Sequence, residues 1–177
     1  MKFSDKFKRV KRQAGMTLIE MITSLAILAL VIGGALALFN SASTSQSSTQ
    51  FSSDLNAIRA AVKATYYGQG GYGTVSINPV LIAGKRVPTT MIVTGTGATA
   101  VVNHSLSGTM TATGAGANFT VALTNIPAEV CLNLLAGASG WTSIIVAGGA
   151  AQTAFPISPA IATTQCAFGT TITFTGA

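Results

Sequence analysis

Between Met21 and Phe39 the chain carries no charge and no proline, and a basic tail stands immediately before it. An uncharged run of that length suffices to span a bilayer as a helix. Gly33 and Gly34 sit inside it and weaken the helix locally, by roughly 1 kcal/mol each relative to alanine. With 177 residues, there is room for one ordinary domain beyond this segment and little more.

The charge is placed with the same asymmetry. Lys2, Lys6, Lys8, Arg9, Lys11 and Arg12 precede Gly15 and are opposed there only by Asp5. Cations gathered before an apolar helix hold that end on the cytoplasmic side. From residue 16 onward Arg59, Lys63, Lys85 and Arg86 face Glu20, Asp54 and Glu129, close to balance. A nucleic-acid-binding domain needs a basic face on its folded part, and this sequence offers none.

One residue resists the simple reading. Glu20 lies at the start of the apolar run, where a charge costs a few kcal/mol and persists only with a partner or a function. Arg12 is eight residues away, and no cation follows until Arg59. If the chain were cut after Gly15, the new α-amine of Met16 would stand one helical turn before Glu20, and the cut would create the missing positive charge. The pair could close within one chain or between staggered chains, which would let the apolar helix leave lipid for a bundle of like helices. The plainer alternative is an acid at the start of a helix, favoured by the helix dipole.

Downstream, residues 40–53 are rich in Ser, Thr and Gln and by composition read as a flexible linker. Phe51, Leu55, Ile58, Val62 and Tyr66 then recur at spacings of one helix face, with Arg59 and Lys63 on another and Gly68 as the stop. If the Ser-rich stretch stays helical, one helix runs from about 17 to 67. After Gly68 the period changes to short β-prone runs between Gly, Asn and Pro. Strands are expected at 74–77, 90–94, 99–103, 118–124, 142–147 and 170–174. A short helix is expected at 128–136, opened by Pro127 at its first turn. The predicted fold class is α+β, an antiparallel sheet packed on the second half of the long helix.

Catalysis finds little support. Beyond residue 53 there are one histidine, His104, and two carboxylates, Asp54 and Glu129, with no evident mates. No metal-ligand spacing is present, and no cofactor site is expected. "GTG" at 95–97 and "GAG" at 114–116 lack a strand–loop–helix setting and a lysine, so they read as turns. Trp141 reads as core. The sequons at Asn103 and Asn118 are too short a pattern to carry weight. Cys131 and Cys166 are an even pair in the part that would be exported, which favours one disulfide over two buried free thiols.

"GMTLIE" at 15–20 resembles the processing site of the type IV pilin family. That resemblance implies cleavage by the prepilin peptidase between Gly15 and Met16, N-methylation of Met16, and a role for Glu20 in docking subunits. A first mature residue of Met rather than Phe is similar to the type IVb branch. So are "DLNAIRAAVKATYYGQGGYG" at 54–73 and the placement of Cys131 and Cys166, which supports their pairing. The implied fold is the type IV pilin fold. The implied organisation is a leader at 1–15, a membrane and filament-core half-helix at 16–39, an amphipathic half at 40–67 and a β-rich domain at 68–177.

The implied function is that of a major pilin, a structural subunit and not an enzyme. It would be held in the inner membrane of a Gram-negative bacterium and then polymerised into an extracellular helical filament. Its partners would be the peptidase, the inner-membrane assembly machinery, membrane lipid before assembly, and copies of itself; nucleic acid is not expected. A minor pilin or a secretion-system pseudopilin shares these features. A competing reading takes Ala35-Leu36-Ala37 as a signal-peptidase site, which would release a secreted β-rich binding module beginning at Leu38. The long apolar stretch with an acid at its start argues against that.

Overall fold

The computed structural model describes residues 17–177, with the side chains of 40, 41, 43, 44 and 98 excepted. The leader, Gly15 and Met16 lie outside the described residues. The chain forms two compact units, one ending at Ser41 and the other Ala42–Ala177. A single helix, α1 (Leu18–Thr65), contributes to both.

In the first unit, large apolar side chains all along Leu18–Phe39 are exposed, from Leu18 at 82% to Phe39 at 76%. A helix that is apolar all round belongs in a hydrophobic surround. Its hydroxyls are spent internally: Thr23 Oγ1 donates to the Glu20 carbonyl at 3.1 Å and Ser24 Oγ to that of Met21 at 2.9 Å. Such back-bonding hides polar groups where no water is at hand.

In the second unit, Phe51, Leu55, Ile58 and Val62 of α1 are buried, as the spacing predicts. They join a core with a six-stranded antiparallel sheet of order β1-β2-β3-β4-β6-β5. The strands are β1 (Ile92–Thr94), β2 (Val101–Asn103), β3 (Thr109–Ala115), β4 (Asn118–Leu123), β5 (Ser143–Val146) and β6 (Ile172–Gly176). β4 alternates as expected, with Phe119, Val121 and Leu123 inward. Its register sets Phe119 opposite Gly114 of β3 and Val121 opposite Phe174 of β6. The helix at Ala128–Ala136 (α3) forms as predicted, although Pro127 is its extended N-cap and not part of its first turn.

The corrections have physical causes. Residues 74–77 make no strand. Ser76 is joined to Thr113 by an isolated bridge, and Ile77 donates to the Ala112 carbonyl as the chain turns into α2 (Asn78–Ala83). Asn78 is buried and braces β3 on both sides: its Nδ2 donates to the Met110 carbonyl at 3.0 Å, and its Oδ1 accepts from the Ala112 N–H at 2.8 Å. "GAG" at 114–116 is partly strand, since Gly114 and Ala115 end β3 and only Gly116 turns. Gly114 permits close approach there, because a Cβ would strike the carbonyls of Tyr72 and Gly73. A fourth helix, α4 (Pro159–Cys166), is capped by Ser158, whose Oγ accepts from the Ile161 N–H at 3.4 Å.

Candidate functional site

The start of α1 is the region to which the sequence points, and its local geometry begins with Thr17. The Thr17 carbonyl accepts from the N–H groups of Glu20 at 3.0 Å and Met21 at 3.2 Å, and its Oγ1 lies 3.4 Å from the Glu20 N–H. Thr17 is therefore the N-cap, and Glu20 occupies the third helical position. "T-L-I-E" fits the capping-box pattern, a signal available in the sequence but absent from the reading above. It orders the turn that carries the carboxylate. Glu20 is exposed and has no ion pair among the described residues.

The other candidates belong to the second unit. Asp54 is 6% exposed and fully engaged: its two oxygens accept from Thr90 Oγ1 at 2.7 Å and Gln50 Nε2 at 3.0 Å. This carboxylate ties α1 to the segment that leads into β1. Arg59 lies over the Trp141 ring at 5.1 Å, and its Nη1 donates to the Ser139 carbonyl at 3.3 Å. Glu129 is exposed in the first turn of α3. No group of three or more His, Cys, Asp or Glu that could hold a metal occurs among the described residues. Cys131 and Cys166 are joined, with Cα atoms 5.9 Å apart, and the bond fastens α4 to α3.

His104 is buried at 4% exposure, edge-on to Phe51 with ring centroids 4.9 Å apart. Its Nε2 is 2.9 Å from the Thr124 carbonyl, and its Nδ1 accepts from the Leu106 N–H at 3.3 Å. These partners select the neutral tautomer protonated at Nε2. Gly108 leaves space for the ring, since a Cβ there would meet the Thr124 carbonyl and His104 Nε2. Burial lowers the His104 pKa from its ordinary 6.5, and the Thr124 carbonyl offsets part of that. In the unfolded chain the ring titrates near 6.5. The stability it contributes is complete above that value and is lost as pH falls through the lower, folded pKa. The urea midpoint of the full-length chain in detergent is expected to fall between pH 7 and 5.5 and to be flatter over that window in His104→Gln. An unchanged wild-type midpoint would contradict this assignment.

Residues 44–177 match the family described as PilS N terminal, and residues 10–36 match the prokaryotic N-terminal methylation motif. No curated protein matches. Among solved structures, a type IV b pilin from Salmonella typhi superposes with a TM-score of 0.58 at 22% identity, over 70% of this chain and 95% of that one. The fold is therefore α+β of the type IV b pilin kind.

Proposed function

We propose that this chain, which belongs to the PilS N terminal family, is the precursor of a structural subunit of a type IVb-like pilus. The observation that carries this is the start of α1. A helix of membrane-spanning length, uncovered along Leu18–Phe39, bears the carboxylate of Glu20 in a capped first turn, and this turn lies within the match to the N-terminal methylation motif at residues 10–36.

The steps follow from the charges. The basic leader holds the N-terminus in the cytoplasm while the helix rests in the inner membrane of a Gram-negative cell. The prepilin peptidase cuts between Gly15 and Met16, and Met16 is methylated. The freed amine, four residues before Glu20, gives the carboxylate a counter-charge, within the chain or on a staggered neighbour. The assembly machinery then moves the helix from lipid into a bundle of identical helices. Head-to-tail contacts between like copies do not close, so they propagate as a helical filament. The reading is of a major pilin whose outer surface serves adhesion, aggregation or conjugative mating. α1 runs unbroken through Ala35-Leu36-Ala37, which disfavours signal-peptidase cleavage there.

The test is the intact mass and N-terminal sequence of protein sheared from the cell surface. A chain beginning at Met16 and heavier by one methyl group is expected. A chain beginning at Leu38 would replace this reading with ordinary secretion.

A further inference from the structure

In Ala42–Ala177 the only acidic side chains are Asp54 and Glu129, set against Arg59, Lys63, Lys85 and Arg86. Asp54 is buried and fully hydrogen-bonded. Any ionic contact between the globular units of identical copies that uses a side-chain carboxylate must therefore use Glu129. That residue lines a groove of about 340 Å³ between α3 and α4 together with Ala128, Leu132, Thr163, Cys166 and Ala167, and the surface it exposes is almost wholly apolar. The groove thus presents an apolar floor and one negative charge.

A complementary pair occurs on the same chain. Tyr67 is 91% exposed, the most exposed of the large hydrophobic side chains among the described residues. It lies just past the end of α1, four residues after Lys63, which is exposed in the last turn. Arg59 is already committed to Trp141 and Ser139. Between residues 75 and 96 the sequence around Lys85 and Arg86 holds no aromatic residue. We infer that the α3–α4 groove receives the end of α1 from a second copy, with the Tyr67 ring on the apolar floor and the Lys63 ammonium on Glu129. The contact is heterologous, since groove and ligand are different surfaces, and so it propagates along an assembly. It rests on the filament reading.

Sheared wild-type filaments would be treated with a water-soluble carbodiimide, which joins a carboxylate and an amine in contact as an amide and takes up the released water as its urea. Digestion of the cross-linked dimer band is expected to yield a peptide pair joined through Glu129 and Lys63. Lys63→Arg keeps the charge but offers no amine, so filaments should persist and this peptide should vanish. Tyr67→Ser should lower its yield severalfold without moving the thermal midpoint. Filaments whose dimers are joined elsewhere, or a yield unaffected by Tyr67→Ser, would overturn the inference and leave the filament reading intact. Absence of filaments from the wild-type chain would remove both.

Discussion

Glu20→Ala is expected to enter the membrane fraction normally and to reduce filaments recovered by shearing on the order of 100-fold or more. Insertion is governed by the apolar run from Met21 to Phe39, which the change leaves untouched, and removing a charge from a membrane helix makes insertion easier. Assembly is different. If the Met16 amine and the Glu20 carboxylate pair inside a bundle of apolar helices, loss of the acid leaves an uncompensated cation there. Breaking a buried pair from one side costs about 3–5 kcal/mol, and each 1.4 kcal/mol is tenfold in an equilibrium.

A second substitution separates charge from capping. Glu20 stands at the third helical position of a capping-box pattern begun by Thr17, and that pattern admits glutamine as well as glutamate. If Glu20 served only to start the helix, Glu20→Gln would assemble like the wild type. If its charge docks the subunit, Glu20→Gln should be nearly as defective as Glu20→Ala, and Glu20→Asp should retain part of the activity. Filament yield in the sheared fraction, normalised to subunit in the membrane, reads the difference. Abundant filaments from Glu20→Gln would leave the carboxylate without a role in docking.

The legible parts of this chain are those where side-chain size and period agree. Phe51, Leu55, Ile58 and Val62 mark the buried face of α1 because large residues return at helical spacing, and that signal outweighs the linker-like composition of residues 40–53. β4 and β6 are visible through Phe119, Val121, Leu123, Ile172 and Phe174, all inward and all large. β3 is hidden because its inward positions are Met110, Ala112 and Gly114. Two of the three are too small to announce a core face, and the crossing segment at Tyr72 and Gly73 requires Gly114 to stay without a Cβ. α2 was masked by its brevity, and its identity depends on Asn78 meeting a strand that the sequence did not show. α4 lacks a consistent apolar face, so only its Ser-Pro start marks it. In the candidate site, Glu20 stood out by its isolation. The cap at Thr17 is inconspicuous because the same six residues carry the stronger signal of a processing site.

The second large effect concerns the covalent link. Cys131→Ser combined with Cys166→Ser is expected to destabilise the globular unit by about 4 kcal/mol, from the chain entropy released when a loop of 35 residues is no longer closed. With an unfolding entropy near 2.1 cal/mol/K per residue, that corresponds to a fall of about 10–15 °C in thermal midpoint for a unit of this size. The native state has little to offset the loss. α4 spans eight residues and buries only Ala162, Gln165 and Cys166, and a helix that short does not hold its shape unaided. Once unfastened from α3 it should fray, and β6, which starts six residues later between β4 and β5, should loosen with it. Circular dichroism melts of the full-length chain in detergent, with and without reductant and for the double variant, measure this. Reduced wild type and double variant should melt together, well below the oxidised protein. A midpoint within about 2 °C of the oxidised value would mean that packing alone retains α4. The double variant also bears on assembly, because the α3–α4 groove is walled by Cys166 and its neighbours while Glu20 belongs to the other unit. It should lose the Glu129–Lys63 cross-link yet keep the proposed pairing of the Met16 amine with Glu20. Glu20→Gln should do the reverse to any filaments that still form. The two contacts are therefore separable within one assembling chain.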